Sequence, residues 1–392
     1  MTVLNIQDLN LDGQKVLMRV DFNVPLDENQ KIADDTRIQA ALPTIQYVLD
    51  RGGSVILMSH LGRPEGVTPE LSLKPCADHL SKLLDRPVRL VNLGDDLSNL
   101  SPGDVVLLEN LRFHEAEKKP EKDPNFVKQL AALGDLYVND AFGTAHRKHA
   151  STYEVVSFFP GKAAAGLLMQ KEIEFLSSVI KDPKRPFYAI IGGAKISTKI
   201  GVLLSLVDKV DGIFICGAMA HTFLKAQGID IGDSLYEADA LNLAQEIIDK
   251  CAEKNTFLGL PLDEIIAQEV KSGAATKTID FEKEGIPPGW KGVDIGPKTV
   301  DLYITKLSNA QTVLWNGPAG VFEVPDFSVG TEAIAKLLAS LSATTIVGGG
   351  DSVAALKMLG LSDQMTHIST GGGASLELIE KGDLPGIAAL EL

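Results

Sequence analysis

Nine short apolar runs recur along this chain, and seven of them end in a polar residue or in glycine. Stretches with helical periodicity, such as FVKQLAAL and GTEAIAKLLASL, separate them. Apolar runs without alternating polar positions are typical of strands buried on both faces, as in parallel sheets covered by helices. The pattern therefore predicts an α/β protein. The runs occupy residues 16–23, 54–60, 104–110, 136–142, 187–193, 212–217, 255–261, 311–317 and 344–350.

The length of 392 residues exceeds the size at which one hydrophobic core keeps growing, so two domains are expected. Between them, apolar residues at 169, 173, 176 and 180 form a helical stripe that the prolines of KDPKRP end. The stripe predicts a helix from Lys162 to Ile180, although a surface helix of a single domain would look the same. We predict two doubly wound parallel-sheet (Rossmann-like) domains, 1–165 and 186–377, joined by a linker helix over 166–185 and a hinge.

The overall charge and the cysteines limit the possible partners. A formal net charge of -15 at pH 7 argues against nucleic acid or an anionic membrane as partner. The three cysteines, Cys76, Cys216 and Cys251, lack CxxC spacing, which argues against a zinc site and a disulfide framework. The N-terminus has no signal-peptide pattern, and no apolar run approaches the roughly 20 residues that span a bilayer. A soluble cytoplasmic protein is expected.

Arginine and glycine are divided between the two halves of the chain. Eight of the nine arginines lie within the first 147 residues, whereas GGAK (192–195), GGGD (348–351) and TGGG (370–373) lie in the second half. The planar guanidinium binds carboxylates and phosphates through two parallel hydrogen bonds, and glycine loops let backbone amides approach phosphates. The halves are therefore expected to bind two different anionic ligands, with a group transferred between them.

In the first half, polar residues stand where strands are predicted to end. Ligands of parallel sheets bind beyond the carboxyl ends of the strands, so these residues are candidates for a site. Ordinary turn formation or helix capping is the alternative for each one. The candidates at these ends are Asp21, Asn23, His60, Asn110 and Asp140.

Basic residues follow three of the same strands, in HLGRP, ENLRFH and AHR, and Arg37 is a further candidate. Simple solvation is the alternative for scattered arginines. Their repeated placement after strand ends favours a shared pocket for an oxyanion. The histidines at 60, 114, 146 and 149 lack a tight metal-ligand spacing, which favours hydrogen bonding to a substrate over zinc.

In the second half, FYAIIGGAKISTK contains neither GxxxxGK[ST] nor GxGxxG. It places Lys195 and Lys199 on the expected first turns of a helix, where anions are favoured, although such lysines are often surface residues. TTIVGGGDSVAALKML is the stronger signal, because three glycines lead directly from a strand into a helix. Asp351 beside them is expected to hold Mg²⁺ or to cap the helix, and the two roles are compatible.

At this point the motifs resemble one family. RVDFNVP, SHLGRP, ENLRFH, DAFGTAHR, GGAK, GWxGxDIGPKT, WNGPxGVFE, GGGDS and HISTGGGASLE occur in the order and spacing of phosphoglycerate kinases, from about residue 16 to the end. The resemblance implies an N-terminal domain for 3-phosphoglycerate or 1,3-bisphosphoglycerate, rejoined by 378–392, and a C-terminal domain for ADP or ATP with Mg²⁺. It also implies a cytoplasmic glycolytic enzyme and a monomer. Because the two ligands would lie on separate domains, we expect closure about hinges near 160–186 and 370–378.

The resemblance also implies a role for individual residues. Arg37, Lys195 and Lys199 would be catalytic, and Asp351 would be the magnesium ligand. The phosphoglycerate ligands would be Asp21, Phe22, Asn23, Arg37, His60, Leu61, Gly62, Arg63, Arg112 and Arg147. The nucleotide ligands would be Lys195, Lys199, Gly292, Asn316, Glu323, Gly348, Gly349, Gly350, Asp351 and Ser352, with Gly371, Gly372 and Gly373 in a loop at the transition state.

Three positions depart from the family's common residues: Thr198 stands for Asp, His221 for Asn and Ala319 for Met. Two other classes of protein share the expected architecture. A dinucleotide-dependent dehydrogenase would need GxGxxG after a strand, which this chain lacks. A binding protein without catalytic activity would lose Arg37, Lys199 or Asp351, and all three are present.

Overall fold

The structure, a computed structural model, describes residues 3–391. The chain divides into two compact units. The first ends at Glu174 and resumes at Asp383, and the second is Phe175–Gly382. The sequence placed the corresponding boundaries at 165–166, 185–186 and 377–378. Within residues 3–391, no helix has the length and apolar character needed to cross a membrane.

The first unit contains a six-stranded sheet in which every neighbouring pair is parallel. Its strands are β1 (Lys15–Arg19), β2 (Ser54–Met58), β3 (Val88–Val91), β4 (Val105–Leu108), β5 (Leu136–Asn139) and β6 (Ala163–Ala165), in the order β3-β4-β2-β1-β5-β6. Its helices are α1 (Thr36–Leu49), α2 (Lys74–Leu83), α3 (Glu115–Lys118), α4 (Pro124–Ala131) and the start of α5 (Leu167–Lys181).

Both faces of this sheet are covered. Consecutive residues of β1, Val16, Leu17 and Met18, are all fully buried although their side chains alternate between faces. On one face Val16 and Met18 belong to the same core as Ile38 of α1 and Leu80 of α2. This packing explains why the strand sequences are apolar at successive positions, and it agrees with the predicted doubly wound arrangement.

The second unit has a six-stranded parallel sheet and a smaller antiparallel one. The parallel sheet, in the order β15-β14-β13-β7-β8-β9, consists of β7 (Phe187–Ile191), β8 (Gly212–Ile215), β9 (Phe257–Gly259), β13 (Thr312–Asn316), β14 (Thr344–Gly348) and β15 (His367–Ile368). The antiparallel sheet consists of β10 (Asp263–Ala267), β11 (Thr276–Asp280) and β12 (Lys291–Ile295), with β10 in the middle.

Most helices of this unit lie between successive parallel strands along the chain. The helices are α6 (Ile200–Val207), α7 (Met219–Ala226), α8 (Leu241–Lys254), α9 (Pro297–Leu307), α10 (Val329–Ser340), α11 (Gly350–Met358) and α12 (Gly372–Lys381). After α12 the chain continues in the first unit, where Gly386 of α13 (Pro385–Ala388) donates a backbone hydrogen bond to Ala145 O at 2.7 Å.

The prediction of two parallel sheets is confirmed, but two details of it are wrong. The helix predicted from Lys162 begins at Leu167, because Ala163–Ala165 pair with β5 as a buried edge strand. The antiparallel sheet was not predicted, since β11 has mixed polarity and three exposed positions and therefore lacks an apolar run.

Asp140, a candidate ligand at the end of β5, stabilises a helix start. Its Oδ1 accepts hydrogen bonds from the backbone N–H groups of Leu168 (3.0 Å) and Met169 (3.1 Å) in the first turn of α5. The side chain is fully buried, and burial raises the pKa of its carboxyl to about 6 in spite of these hydrogen bonds. The alternative of helix capping therefore accounts for this residue.

Asp140→Asn is expected to reduce the pH dependence of stability. The folded-state pKa of about 6 lies above the unfolded value of about 3.9. Between these two pH values Asp140 is protonated in the folded chain and ionised in the unfolded chain. The stabilisation from this proton is complete below about pH 4 and is lost as the pH rises through 6. Relative to wild type, the variant should therefore gain about 2 to 3 kcal/mol in the free energy of unfolding across this window.

Urea unfolding of both proteins at several pH values measures this difference. Glu28→Gln is the control, because Glu28 is an exposed carboxylate of the same unit. An identical pH dependence in wild type and Asp140→Asn would contradict the assignment.

Candidate functional site

The carboxyl edge of the first unit's sheet brings together the residues that follow β1 and the first turn of α1. Arg37 lies 3.2 Å from Asp21 Oδ2, and it donates a hydrogen bond to Asn23 O at 3.0 Å. Asn23 Oδ1 in turn accepts from Gly62 N at 2.8 Å, which ties this segment to the loop after β2. The Arg37 side chain remains 36% exposed, so its guanidinium is held in place with donors free to face a ligand.

His60 lies at the same edge and is held by Arg19, the last residue of β1. Arg19 Nη2 lies 3.0 Å from His60 Nδ1. A guanidinium only donates hydrogen bonds, so Nδ1 accepts and the ring proton resides on Nε2. Burial and the positive charges of Arg19 and Arg112 lower the pKa of His60 well below its ordinary value. His60 is therefore a neutral hydrogen-bond donor, which agrees with a binding role and not with proton transfer.

A buried chain of hydrogen-bonded groups, which was not predicted from the sequence, supports Arg19. Arg19 is fully buried, and its Nε donates to Ser151 Oγ at 2.8 Å. Ser151 Oγ donates to Glu117 Oε1 at 2.7 Å, and Ser151 N donates to Glu117 Oε2 at 3.0 Å. The signal for Arg19 was present, because it is a charged residue inside the apolar run of β1. Glu117 and Ser151 gave no comparable signal.

Arg112 crosses to the loop after β2, where it donates to Gly62 O at 2.7 Å. Asn110 Nδ2 holds the same loop by donating hydrogen bonds to Leu61 O and Leu71 O, both at 2.8 Å. Burial, followed by the charges of Arg19 and Arg147, lowers the pKa of Arg112 to about 10. The guanidinium remains charged at neutral pH, but neighbouring cations make that charge costly.

The other predicted ligands of this unit fall into two groups. Arg63 and Arg147 are exposed, so their side chains are accessible to a ligand. The side chains of Phe22 and Leu61 are buried, at 0% and 2% exposure, so only their backbone atoms are available to a ligand. Phe22 N already donates to Ser59 Oγ at 2.8 Å.

In the second unit, Lys199 is the centre of the candidate site. Its ammonium donates to Asn316 Oδ1 at 3.0 Å and also to Gly192 O. Burial lowers the pKa of Lys199, and the nearby Asp351 carboxylate opposes that shift. The ends of β7 and β13 are thus joined through one cation.

The expectation that Lys195 and Lys199 lie on the first helical turns is wrong, because α6 begins at Ile200. The preceding residues form a turn in which Lys199 N bonds to Ile196 O at 2.8 Å. Glu237 holds this turn by accepting from Ser197 N at 3.0 Å. Lys195 is exposed beside it, whereas the Lys199 side chain folds back over the end of β7.

The GGGDS segment forms the start of α11. Gly349 has φ = 89°, a left-handed conformation that glycine adopts readily, and a Cβ there would lie 3.3 Å from Asn316 Nδ2. Asp351 is exposed in the first turn of the helix. Ser352 is fully buried and its Oγ accepts from Gly317 N at 2.7 Å, so its hydroxyl supports the loop after β13.

The remaining predicted nucleotide ligands belong to the same unit. Gly348 ends β14, and Gly350 and Gly372 begin α11 and α12. Their N-terminal amides provide donors for anions. Gly371 and Gly373 flank the start of α12, Glu323 is exposed, and Gly292 lies in β12.

The departures from the family pattern have different surroundings. Thr198 is exposed, and its hydroxyl donates to Lys195 O at 2.9 Å. Ala319 is buried, and its backbone accepts from Gly217 N and donates to Thr331 Oγ1, both at 3.0 Å. His221 is buried against Glu264, with 3.0 Å between Nε2 and Oε2.

A metal ion would be held with few protein ligands. Among residues 3–391, no group of three or more His, Cys, Asp or Glu side chains could hold a metal ion. Mg²⁺ in phosphoryl-transfer sites commonly uses one or two carboxylates together with substrate phosphates and water. The exposed carboxylate of Asp351, at a glycine-rich helix start, fits that kind of ligand set.

Together the fold and these two sites define a class: an α/β enzyme with a cationic anion site in one unit and a lysine with glycine-rich helix starts in the other. The phosphoglycerate kinase family model matches residues 6–382. The chain belongs to the phosphoglycerate kinase family, whose members are kinases that carry out glycolytic phosphoryl transfer.

Relatives cover the full length of the chain. It is 52% identical to the phosphoglycerate kinase of Dictyoglomus turgidum over 400 residues, covering 100% of this chain and 98% of that protein. It is 51% identical over 399 residues to cytosolic phosphoglycerate kinase 3 of Arabidopsis thaliana, with the same coverage. The solved structure of phosphoglycerate kinase from Coxiella burnetii gives a TM-score of 0.89 at 43% identity and 99% coverage of both chains.

The hydrogen bond from Arg19 predicts a single protonation state for His60. In ¹⁵N-histidine NMR spectra, His60 should carry its proton on Nε2, with Nδ1 unprotonated, and should not titrate between about pH 6 and pH 8. The His60→Gln variant assigns the signal by its disappearance. A His60 signal that titrates within this range, or that carries its proton on Nδ1, would contradict the geometry.

Proposed function

We propose that this chain transfers a phosphoryl group reversibly from 1,3-bisphosphoglycerate to ADP, giving 3-phosphoglycerate and ATP. The observation that carries the proposal is that this member of the family has two different anion-binding sites, one in each unit. One unit presents the arginine cluster around Asp21 and Asn23, and the other presents Lys199 beside glycine-rich helix starts. The first suits a small phosphorylated carboxylate, and the second suits a nucleotide's phosphates.

The placement of hydrogen-bond donors supports the phosphoglycerate assignment. Arg37 is oriented by Asp21 and by Asn23 O, and His60 offers Nε2–H because Arg19 occupies Nδ1. Backbone atoms of Phe22, Leu61 and Gly62 complete the polar surface. The cationic ligands proposed for this side are Arg37, Arg63, Arg112 and Arg147.

The nucleotide assignment rests on the second unit. Lys199 and the exposed Lys195 would contact the phosphates, and the N-termini of α11 and α12 would donate backbone N–H groups. Asp351 would hold Mg²⁺, which neutralises charge on the phosphate oxygens when bound. The remaining proposed nucleotide contacts are Gly292, Asn316, Glu323, Gly348, Gly349, Gly350, Ser352 through its backbone, Gly371, Gly372 and Gly373.

The chemistry requires no general base. In the forward reaction a terminal oxygen of ADP forms a bond to phosphorus while the bond to the acyl oxygen breaks, and the carboxylate leaves with its electron pair. Both nucleophile and leaving group are ionised at neutral pH, so no proton moves. The protein contributes alignment and charge neutralisation, for which Arg37 and Lys199 are the proposed contacts to the transferring group.

Transfer between ligands on separate units implies closure. We propose a monomer in the cytoplasm in which the units close about the segments near 160–186 and 370–378. Closure would exclude water, and exclusion would protect a reactive acyl phosphate from hydrolysis. The named cytosolic relatives support the compartment.

Arg37→Ala and Lys199→Ala are each expected to lower kcat by about 100-fold or more, because each removes a cation from the developing charge. A coupled assay of ATP formation, with and without Mg²⁺, measures this loss. The controls are Arg51→Ala and Lys336→Ala, which remove exposed cations located elsewhere. Near-normal turnover in either test variant would refute that residue's role, and a wild type without turnover would refute the kinase proposal.

Simultaneous binding of both substrates is expected to make the chain more compact. Small-angle scattering of the protein with ADP, Mg²⁺ and 3-phosphoglycerate should give a smaller radius of gyration than either binary complex. Superimposable profiles in all states would contradict the closure proposal while leaving the reaction itself intact.

A further inference from the structure

Two buried ionisable side chains face each other beside Gly292: His221 in α7 and Glu264 in β10. Each residue is 3% exposed, and His221 Nε2 lies 3.0 Å from Glu264 Oε2. Phosphoglycerate kinases commonly have asparagine at position 221, so the family pattern does not account for this pair. Burying a charge is costly unless it is paired. The position of this pair in the fold therefore indicates which segments it holds in place.

The hydrogen bonds of His221 define where its protons lie. Its Nδ1 is 3.1 Å from Leu235 O, and a carbonyl only accepts, so Nδ1 carries a proton. Burial lowers the pKa of His221, but the Glu264 carboxylate and the Leu235 carbonyl outweigh that effect and the pKa is raised. The ring therefore donates on both sides, to the 234–235 segment and to β10.

The same two side chains set the position of Gly292. A Cβ at Gly292 would lie 2.0 Å from Glu264 Oε2 and 2.4 Å from His221 Nε2, so the pair packs directly against the Gly292 backbone. Gly292 N donates to Ser234 Oγ at 2.9 Å, next to the Leu235 carbonyl that His221 holds. The pair thus connects α7, the 234–235 segment, β10 and β12 at a single point.

We infer that His221 and Glu264 are positioning residues for the nucleotide, acting through the backbone of Gly292. The inference rests on the proposed function, because Gly292 is assigned there to the nucleotide. Both side chains are buried, so they act by holding β12 and the 234–235 segment at a fixed separation. Their hydrogen bonds, more than their charge, carry this role, because direction and length define the separation.

Two variants distinguish hydrogen bonding from simple packing. Glu264→Gln preserves the geometry without charge, since a neutral His221 keeps its Nδ1–H bond to Leu235 O and accepts at Nε2 from the introduced amide. The double variant His221→Leu/Glu264→Met fills similar space but removes both hydrogen bonds. Replacing a buried ion pair by apolar residues of similar volume often leaves stability intact, so this variant is expected to fold.

Calorimetric titration of the full chain with ADP, and separately with 3-phosphoglycerate, tests the inference. The double variant should raise the Kd for ADP on the order of tenfold. Glu264→Gln should stay within about threefold of wild type. The Kd for 3-phosphoglycerate should be unchanged in both variants, which a general loss of stability would not produce.

Other outcomes overturn the inference in distinguishable ways. A double variant that is folded by circular dichroism and binds ADP like wild type would show that the pair serves stability alone. Glu264→Gln losing as much affinity as the double variant would show that charge, not hydrogen-bonded position, matters. A wild type that binds no ADP would overturn the proposed function and this inference together.

Discussion

Burial of the parallel strands on both faces is the constraint from which the sites follow. Strands such as Val16–Met18 are covered on both sides, so they leave little room for polar side chains along their length. Polar groups are therefore concentrated beyond the strand ends, where loops and helix starts meet. Arg19 breaks this rule inside β1, and it is tolerated because Val20 O, Ser151 and His60 satisfy its guanidinium. Although it is buried itself, Arg19 orients His60 through the hydrogen bond to Nδ1.

The same constraint explains which parts of the fold could be predicted from sequence. Apolar runs identified the central strands of both parallel sheets, since those strands have no solvent-facing positions. Residues 163–165 were predicted to begin a helix because they directly precede the apolar stripe at 169–180, whereas in the structure they pair with β5 as a strand. The antiparallel sheet was missed for the opposite reason: Thr276–Asp280 is largely exposed, so packing leaves no apolar signature there.

The candidate site was predictable where function depends on a local pattern. Asp21, Asn23 and His60 lie at one edge of the sheet, because they follow β1 and β2, which are adjacent. Arg37 reaches the same edge from the first turn of α1. The roles of Glu117 and Ser151 were not predictable, because they depend on contacts between residues far apart in the sequence. Ser151, for example, contacts Arg19 across 132 residues. Family resemblance also does not separate side-chain from backbone roles, and the buried side chains of Phe22, Leu61 and Ser352 show that difference.

The basic groups of the first unit's site repel one another, and this repulsion bears on the selectivity of the site. Burial together with neighbouring cations lowers the pKa of Arg112 to about 10 and that of His149 to about 3. The carboxylate of Glu117 offsets part of the repulsion between Arg112 and its neighbouring cations. An anion bound among these basic groups would offset more of it. A ligand with several negative charges gains most from such a site, whereas the chain's net charge of -15 repels extended polyanions at a distance. Local clustering of arginine within an acidic protein therefore favours small, highly charged substrates over nucleic acid.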